Sequence, residues 1–315
     1  MSERRHFAVA AGVVVNGAGE VLIARRGEEL HQGGLWEFPG GKIEPGETTE
    51  RALVRELREE LAIAVQGCEP LIRIHHGYPD RDVTLDVLRV YRFGGEPRAM
   101  LGQPLCWVAP ERLPLFAFPA ANRPIVTAAR LPDRYAILDL TEPVDRPAVA
   151  ERLAVLQRGG ISLLRLRAKG VRGERYRALA DWVQEWGGRR DMKVMLDFGE
   201  PWAADTGAAG VHLDAAALME IQVRPVAADR YLAASCHDRS ELEKAAALGV
   251  DFAVLSPVLS TPSHPGAKGM GWARFAELVE GAAFPVYALG GMMPEHRDLA
   301  RRSGAQGIAG IRGIC

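Results

Sequence analysis

Three glutamates in the first half of the sequence are spaced so that they could act together. Glu56, Glu59 and Glu60 lie three and four residues apart, so a helix would bring their carboxylates onto one face. Crowded carboxylates repel one another unless a cation lies between them, and Mg²⁺ prefers oxygen ligands of this kind. The spacing therefore predicts a Mg²⁺ site facing a cleft, with Mn²⁺ as the alternative ion.

The same pattern also has a purely structural explanation. A solvated helix face carries charges at this spacing, and Arg55 with Glu59 would then form an ordinary i,i+4 ion pair. Leu53, Leu57 and Leu61 lie on the neighbouring face and predict packing against a core. From the helix alone, both explanations stay open.

The residues before the helix favour the metal site. Residues 40–63 resemble the Nudix box at Gly41, Glu47, Arg55, Glu56, Leu57, Glu59, Glu60 and Ile63. The resemblance implies that Glu56, Glu59 and Glu60 bind the metal together with the carbonyl of Gly40. It also implies that one of these glutamates takes the proton from an attacking water.

Other box residues are expected to act indirectly. Glu47 and Arg55 are expected to orient the loop and the helix around the metal ligands. Ala62 stands where the family usually has glycine, at the predicted end of the helix. This departure is therefore expected to change the helix cap more than the chemistry.

The resemblance extends beyond the box to the MutT branch of the family, which hydrolyses 8-oxo-dGTP to 8-oxo-dGMP and pyrophosphate. It rests on residues 35–42, 78–81 and 118–122. It implies that Asn122 hydrogen-bonds the oxidised guanine, since an amide donates and accepts at once. Arg26, Phe38 and Arg81 are then expected to hold the nucleotide. Asn122 as a helix N-cap and Phe38 as a core residue are the structural alternatives.

One residue departs from the MutT pattern in a way that touches the chemistry. Leu101 precedes Gly102, where the family has a metal-binding glutamate, and leucine can neither bind Mg²⁺ nor accept a proton. Activity is therefore expected to be weaker, to need more metal, or to use another carboxylate such as Glu96.

Length and composition limit the organisation of the chain. With 315 residues, of which 48% are hydrophobic, two domains with proper cores are expected. The formal net charge of -1 gives no electrostatic case for a nucleic acid polymer or a membrane as partner. Four cysteines without CxxC spacing predict neither a zinc site nor a disulfide framework. Without a long apolar run or a signal-peptide core, a cytoplasmic location is expected.

Residues 1–130 are predicted to form an α+β sandwich. The predicted strands surround the glutamate helix, and a terminal helix follows at about 122–130. The strands are expected at residues 7–15, 21–24, 71–75, 83–93 and 105–108. Pro132 breaks the terminal helix, so residues 131–134 are predicted to be a linker.

Residues 135–315 are predicted to form an α/β barrel of the (β/α)8 type. The pattern indicates eight short apolar strands with seven intervening helical stretches. Too few residues follow the last strand to form an eighth helix. The barrel is thus expected to lack its last helix and to be open at that seam or covered by another surface, and a homodimer through the seam stays open.

The predicted C-terminal ends of the barrel strands carry polar residues, where such barrels hold their chemistry. The polar residues are Asp139, Arg167, Lys169, Asp197, His212, Asp214, His237 and Ser256, and one strand end carries the glycine pair Gly290 and Gly291. Residues 164–169, 209–213, 235–237 and 289–292 resemble thiamine-phosphate synthase and its relative, the TenI thiazole tautomerase. The resemblance implies that Arg167 and Lys169 contact a phosphate of a small ligand and that His237 serves as an acid/base.

Two departures argue against synthase activity in the barrel. Leu196 precedes Asp197 where the synthase has asparagine, and alanine stands within residues 214–217 in place of a magnesium-binding aspartate. As structural alternatives, His237 is a polar strand-end residue and Asp197 pairs with Arg167. The leading hypothesis is therefore a Mg²⁺-dependent Nudix enzyme that clears oxidised dGTP, with an accessory or ligand-binding barrel. The alternatives are tautomerase-like or thiamine-pathway chemistry in the barrel, and a non-catalytic sensor of phosphorylated ligands.

Overall fold

A computed structural model of the chain describes residues 5–29, 32–200, 202–203, 206–261 and 268–314. The chain divides into two compact units, Met1–Arg130 and Leu131–Cys315. Among the helices that the structure describes, none is long and apolar enough to cross a membrane.

The described part of the first unit contains two small sheets and two α-helices. One sheet has the order β4-β1-β6-β5, with β1 and β6 parallel, and the other has the order β3-β2-β7. The elements are β1 (Arg5–Val14), β2 (Val21–Arg25), β3 (Trp36–Glu37), β4 (Gly40–Lys42), α1 (Thr49–Leu61), β5 (Ala64–Gly77), β6 (Arg81–Gly94), β7 (Leu105–Val108) and α2 (Arg123–Arg130). The predicted α+β sandwich is confirmed.

Successive side chains of β1 point to opposite faces of the sheet, and each face packs in a different buried cluster with one of the two helices. Ala10 and Val14 lie in one buried cluster with Leu53 and Leu57 of α1. Ala11 and Val13, whose side chains point to the other face of the sheet, lie in a second cluster with Ile125 of α2. Burying one leucine side chain contributes about 2 kcal/mol, so the two leucines hold α1 firmly on the sheet.

Both ends of α1 have an identifiable cause. The hydroxyl of Thr48 accepts a hydrogen bond from the backbone N–H of Arg51 and caps the start. Ala62 ends the helix in the left-handed conformation with φ of 55°, as expected from its position in the box. A left-handed alanine costs roughly 1 kcal/mol compared with glycine, which explains why glycine is usual at such a cap.

The second unit is a closed barrel of eight parallel strands. Its elements are β8 (Arg134–Thr141), α3 (Arg146–Arg158), β9 (Leu163–Lys169), α4 (Gly173–Gly188), β10 (Lys193–Asp197), β11 (Gly210–Leu213), α5 (Ala215–Glu220), β12 (Tyr231–Cys236), α6 (Arg239–Leu248), β13 (Phe252–Leu255), α7 (Gly271–Val279), β14 (Val286–Leu289), α8 (Arg297–Arg302) and β15 (Gly307–Gly310). Residues 311–314 form no helix.

The sheet is closed at the seam of the barrel, so the alternative of an open seam is wrong. Strand β15 pairs with β8 in parallel, and the N–H of Ile308 donates to the carbonyl of Asp133 at 3.0 Å. Gly307 permits this approach, because a Cβ there would lie 1.9 Å from the same carbonyl oxygen. Strand pairing alone therefore closes the barrel.

One predicted helix of the barrel is absent from the residues that the structure describes. Between β10 and β11 the described residues form no α-helix. Gly199 has a φ of 128°, and the hydroxyl of Thr206 binds the backbone of Ala203 and Ala208, which competes with helical hydrogen bonding.

The lower half of the barrel interior is filled by aromatic rings. Tyr135, Phe252 and Tyr287 pack with ring centroids 5.3 to 5.7 Å apart. Leu131 joins this cluster with 5% of its surface exposed, so it packs with the second unit. A filled interior leaves the C-terminal ends of the strands, here called the barrel mouth, as the place where polar side chains face a ligand.

Candidate active site

Arg55 is the centre of the glutamate cluster on α1. Its guanidinium donates to both carboxylate oxygens of Glu47 at 2.9 and 3.0 Å and to one oxygen of Glu56 at 2.7 Å. It also donates to the backbone carbonyl of Lys42 at 3.0 Å. Hydrogen bonds to the two carboxylates raise the pKa of Arg55, and the Arg55 hydrogen bond lowers the pKa of Glu47. One side chain thus ties the loop before α1 to the helix.

Two glycines let the loop pass close to its neighbours. Gly40 has a φ of 149°, and a Cβ on it would lie 2.1 Å from the carbonyl oxygen of Ala10. A Cβ on Gly41 would lie 2.2 Å from the carboxyl carbon of Glu56. Gly40 therefore allows the backbone to approach strand β1, and Gly41 leaves the space that the Glu56 carboxylate occupies.

Glu60 lies in an unusual electrostatic environment. Its pKa is raised to about 7, first by burial and then by the negative charges of Glu56 and Glu37, against a hydrogen bond from the backbone of Gly40. Glu59 differs, because its side chain is 61% exposed and lies 3.6 Å from Arg55. The structure therefore brings Glu56 and Glu60 together near Gly40 and leaves Glu59 at the rim.

Glu37 belongs to this acidic group but escaped the sequence analysis. It forms an ion pair with Arg26, and burial raises its pKa in spite of that partner. The signal for it was weak, because a single glutamate in a two-residue strand has no spacing pattern. Arg26, expected to hold the nucleotide, is engaged by Glu37 in this structure.

The carboxylates fit a hard divalent cation. In the described part of the chain, no three His, Cys, Asp or Glu side chains are arranged so that they could hold a metal by themselves. Yet the Glu60 carboxylate has two like-charged neighbours, Glu56 and Glu37, and accepts a hydrogen bond from the backbone of Gly40, so a cation would relieve a repulsion that burial makes worse. Two carboxylates, a backbone oxygen and water are a typical magnesium donor set.

Phe38 packs in the core, so the structure does not support a base-contacting role for it. It is 3% exposed, and its ring stacks on Phe118 with centroids 5.3 Å apart. A ring buried on both faces has no surface left for a base. Phe118 is partly exposed and is the aromatic neighbour that a ligand could reach.

Asn122 has an unengaged side chain. Its backbone N–H donates to Pro119, but among the described contacts its side-chain amide makes no hydrogen bond. Helix α2 begins at Arg123 without a cap from this amide, so the structure does not support the N-cap alternative. Arg81 donates to Asp80 at 2.5 and 2.8 Å and lies over the ring of Phe7.

The loop that carries Leu101 packs on the C-terminal end of α1. The N–H of Met100 and the side chain of Gln103 both donate to the carbonyl of Glu60, at 3.0 and 3.3 Å. Leu101 itself is 72% exposed, and Glu96 is exposed as well. Position 101 therefore lies in a loop that is fixed to the backbone of Glu60, and its side chain is exposed to solvent.

The barrel mouth has a different ion-pair pattern from the one expected. Asp197 pairs with Arg165 at 2.7 Å rather than with Arg167, which lies 3.4 Å from Asp139. His237 is 47% exposed, and its Nδ1 lies 2.9 Å from a carboxylate oxygen of Glu241. The sequence analysis missed Arg165 because nothing in the spacing separates it from Arg167.

The double glycine at the end of β14 has a steric explanation. A Cβ on Gly290 would lie 2.9 Å from Pro257, and a Cβ on Gly291 would lie 2.8 Å from the carbonyl of Ser260. Both glycines have positive φ, at 98° and 67°. Their close packing against the loop after β13 accounts for both positions without a ligand.

Comparisons with known proteins assign each unit to a family. A NUDIX domain model matches residues 10–128, and a thiamine monophosphate synthase model matches residues 135–314. The first unit is similar to 8-oxo-dGTP diphosphatase of Escherichia coli K12, with 42% identity over 118 residues, 38% of this chain and 92% of the relative. It is also similar to CTP pyrophosphohydrolase of the same organism, with 36% identity over 115 residues, 36% of this chain and 85% of the relative. The second unit is similar to a putative thiamine-phosphate synthase 2 of Aquifex aeolicus VF5, with 32% identity over 183 residues, 58% of this chain and 96% of the relative.

The two loop glycines make a matched test of this geometry. Gly40→Ala is expected to lower the free energy of unfolding of the first unit by about 3 kcal/mol, because its Cβ meets backbone that cannot move aside. Gly41→Ala is expected to cost less stability, because the Glu56 carboxylate can swing away, but to weaken Mn²⁺ binding about tenfold or more. Urea unfolding and Mn²⁺ electron paramagnetic resonance provide the two readouts.

The control for both variants is Gly17→Ala. A Cβ on Gly17 meets no atom within 4 Å, so this variant is expected to stay within about 0.5 kcal/mol of the parent. Equal Mn²⁺ binding by Gly41→Ala and Gly17→Ala would contradict the assigned role of Gly41.

Proposed function

Because its first unit belongs to the Nudix family and its second to the thiamine monophosphate synthase family, we propose that this chain is a metal-dependent hydrolase of oxidised nucleoside triphosphates. The substrate is 8-oxo-dGTP, and the products are 8-oxo-dGMP and pyrophosphate. The observation that carries the proposal is the pairing of Glu56 and Glu60 beside Gly40, within a region that covers 92% of a diphosphatase relative.

Glu56, Glu60 and the carbonyl of Gly40 would hold the divalent ion, which is Mg²⁺ in this proposal, with Mn²⁺ as the substitute. When bound, such an ion neutralises phosphate charge and activates water for attack on phosphorus. Arg55 keeps the Glu56 carboxylate in place through its 2.7 Å hydrogen bond and keeps the loop in place through Glu47. Glu59, which is not among these ligands, accepts the proton of the attacking water in this proposal, and Glu59→Gln tests that role.

The base would be read at the edge of α2. The unengaged amide of Asn122 can donate and accept toward an oxidised purine. Phe118, partly exposed, offers an apolar surface beside it in place of the buried Phe38. Arg26 and Arg81 supply positive charge, provided that Arg26 exchanges its ion pair with Glu37 for the nucleotide.

A turnover assay on the purified full chain tests the proposal. With Mg²⁺, the chain is expected to release pyrophosphate from 8-oxo-dGTP in preference to dGTP and CTP. Glu56→Gln and Glu60→Gln are each expected to lower kcat by roughly 10²–10⁴-fold, because each removes a charged group from the reacting centre. Glu50→Gln, in the exposed first turn of α1, is the matched control and is expected to retain activity.

Two outcomes would count against the proposal in different ways. Preferred turnover of CTP would retain the Nudix mechanism but change the substrate class. Nucleotide binding without turnover, unchanged in Glu56→Gln, would favour a sensor over an enzyme.

Leu101→Glu provides a separate test of the missing carboxylate. If the acidic group lacks one ligand, the added carboxylate is expected to lower the Mg²⁺ concentration for half-maximal turnover several-fold. Met100→Glu is the matched control, because Met100 is also exposed but is not the residue that departs from the family pattern. An unchanged metal requirement in Leu101→Glu would show that the group is complete without residue 101.

For the barrel we propose an accessory, ligand-binding role rather than synthase chemistry. Asp197 is engaged by Arg165, and residues 215–217 offer alanines where the synthase pattern has a second metal-binding aspartate. The barrel mouth nevertheless keeps the cationic side chains of Arg167 and Lys169.

A further inference from the structure

Strand β9 carries a column of basic residues on the inner side of the barrel. Leu163 packs in the interior aromatic cluster, whereas Leu164 packs outward against the helices. Alternation along the strand therefore points Arg165, Arg167 and Lys169 inward, one above the other toward the mouth. Three cations on one inner row are unusual in a barrel core and need compensating charges.

The lowest cation of the column is buried and fully engaged. Arg165 is 5% exposed, and its Nε donates to Asp197 at 2.7 Å. Its Nη1 also donates to the hydroxyl of Ser235 at 3.4 Å, and that hydroxyl lies 3.0 Å from Nε2 of His212. Nδ1 of His212 lies 3.0 Å from the hydroxyl of Tyr135, which joins this network to the packed interior.

Arg165 is the permanently charged cation of this hydrogen-bond network. Arginine stays protonated in proteins, so its charge cannot be removed by burial. Burial and the nearby charges of Arg165 and Arg167 lower the pKa of His212 well below its ordinary value, so the imidazole adds no second charge. Asp197 is thus neutralised by a side chain of the protein itself.

A divalent metal does not fit this side of the mouth. Asp197 already has its counter-ion at 2.7 Å, and the neighbouring Asp214 uses its carboxylate to cap α5 through the N–H of Ala217 at 2.9 Å. The next residues are alanines, which provide no oxygen ligand from a side chain.

The other two cations of the column, Arg167 and Lys169, are not held by a hydrogen-bonded carboxylate. Arg167 lies 3.4 Å from Asp139, but that oxygen of Asp139 makes no hydrogen bond, so the contact is electrostatic only. Among the described contacts, Lys169 has no carboxylate partner, and it is exposed. Hydrogen-bond donors of both residues are thus available at the β8–β9 side of the mouth.

We propose that Arg165 takes the place of a divalent cation at the barrel mouth, so that a phosphate group held by Arg167 and Lys169, as the family resemblance implies, binds there without metal. The ligand is a singly phosphorylated small molecule rather than a pyrophosphate–metal complex. This proposal is independent of the hydrolase activity, because it concerns side chains of the second unit alone.

Phosphate binding in the presence of EDTA tests the proposal on the full chain. Isothermal titration with inorganic phosphate is expected to show saturable binding that Mg²⁺ does not strengthen. Arg167→Gln and Lys169→Gln are each expected to weaken it about tenfold, the loss typical of one charge-assisted hydrogen bond. Arg189→Gln, an exposed arginine at the far end of α4, and Glu56→Gln in the first unit are the controls and are expected to bind as the parent does.

Three results would overturn the proposal. They are binding that requires Mg²⁺, binding that both Arg167→Gln and Lys169→Gln leave unchanged, and no saturable binding at all. A second measurement addresses Arg165 directly: the Glu56→Gln/Glu60→Gln chain is expected to retain no Mn²⁺ in the barrel by electron paramagnetic resonance. A saturable Mn²⁺ site that disappears in Asp197→Asn would contradict the role of Arg165.

Discussion

The hydrogen bonds of Arg55 are the interaction on which the first unit depends. One guanidinium joins Glu47 and the carbonyl of Lys42 in the loop to Glu56 on the helix. Arg55 therefore fixes the Glu56 carboxylate, whose negative charge adds to burial in raising the pKa of Glu60. The two glycines before the loop are consequences of the same constraint, because the loop must pass within contact distance of β1 and of Glu56.

The two units treat buried negative charge in opposite ways. Beside Gly40, Glu56 and Glu60 repel each other, and burial raises the pKa of Glu60 to about 7, which favours a cation from solution. At the barrel mouth, Asp197 is held by the buried Arg165, so the protein supplies the cation itself. Buried carboxylates therefore favour metal binding in the first unit, and ligand binding without metal in the second.

Periodicity and spacing in the sequence were sufficient to predict the helices and strands, but not which side chains and strands pair with one another. Leucines at four-residue intervals predicted α1, and the eight short apolar runs predicted the barrel strands, because both signals follow from which face is buried. Spacing could not decide whether Arg165 or Arg167 pairs with Asp197, since both point inward from one strand. Nor could it foresee that β15 pairs with β8, which depends on the absence of a side chain at Gly307. The burial of Phe38 beneath Phe118 likewise depends on tertiary packing.

The most direct test of the account is the position of bound metal. Crystals of the full chain soaked in Mn²⁺ would be measured at the manganese absorption edge. An anomalous peak between the carboxylates of Glu56 and Glu60 and the carbonyl of Gly40, with none beside Asp197, is the predicted result. A peak at Asp197, or none at the Glu56–Glu60 pair, would contradict the account.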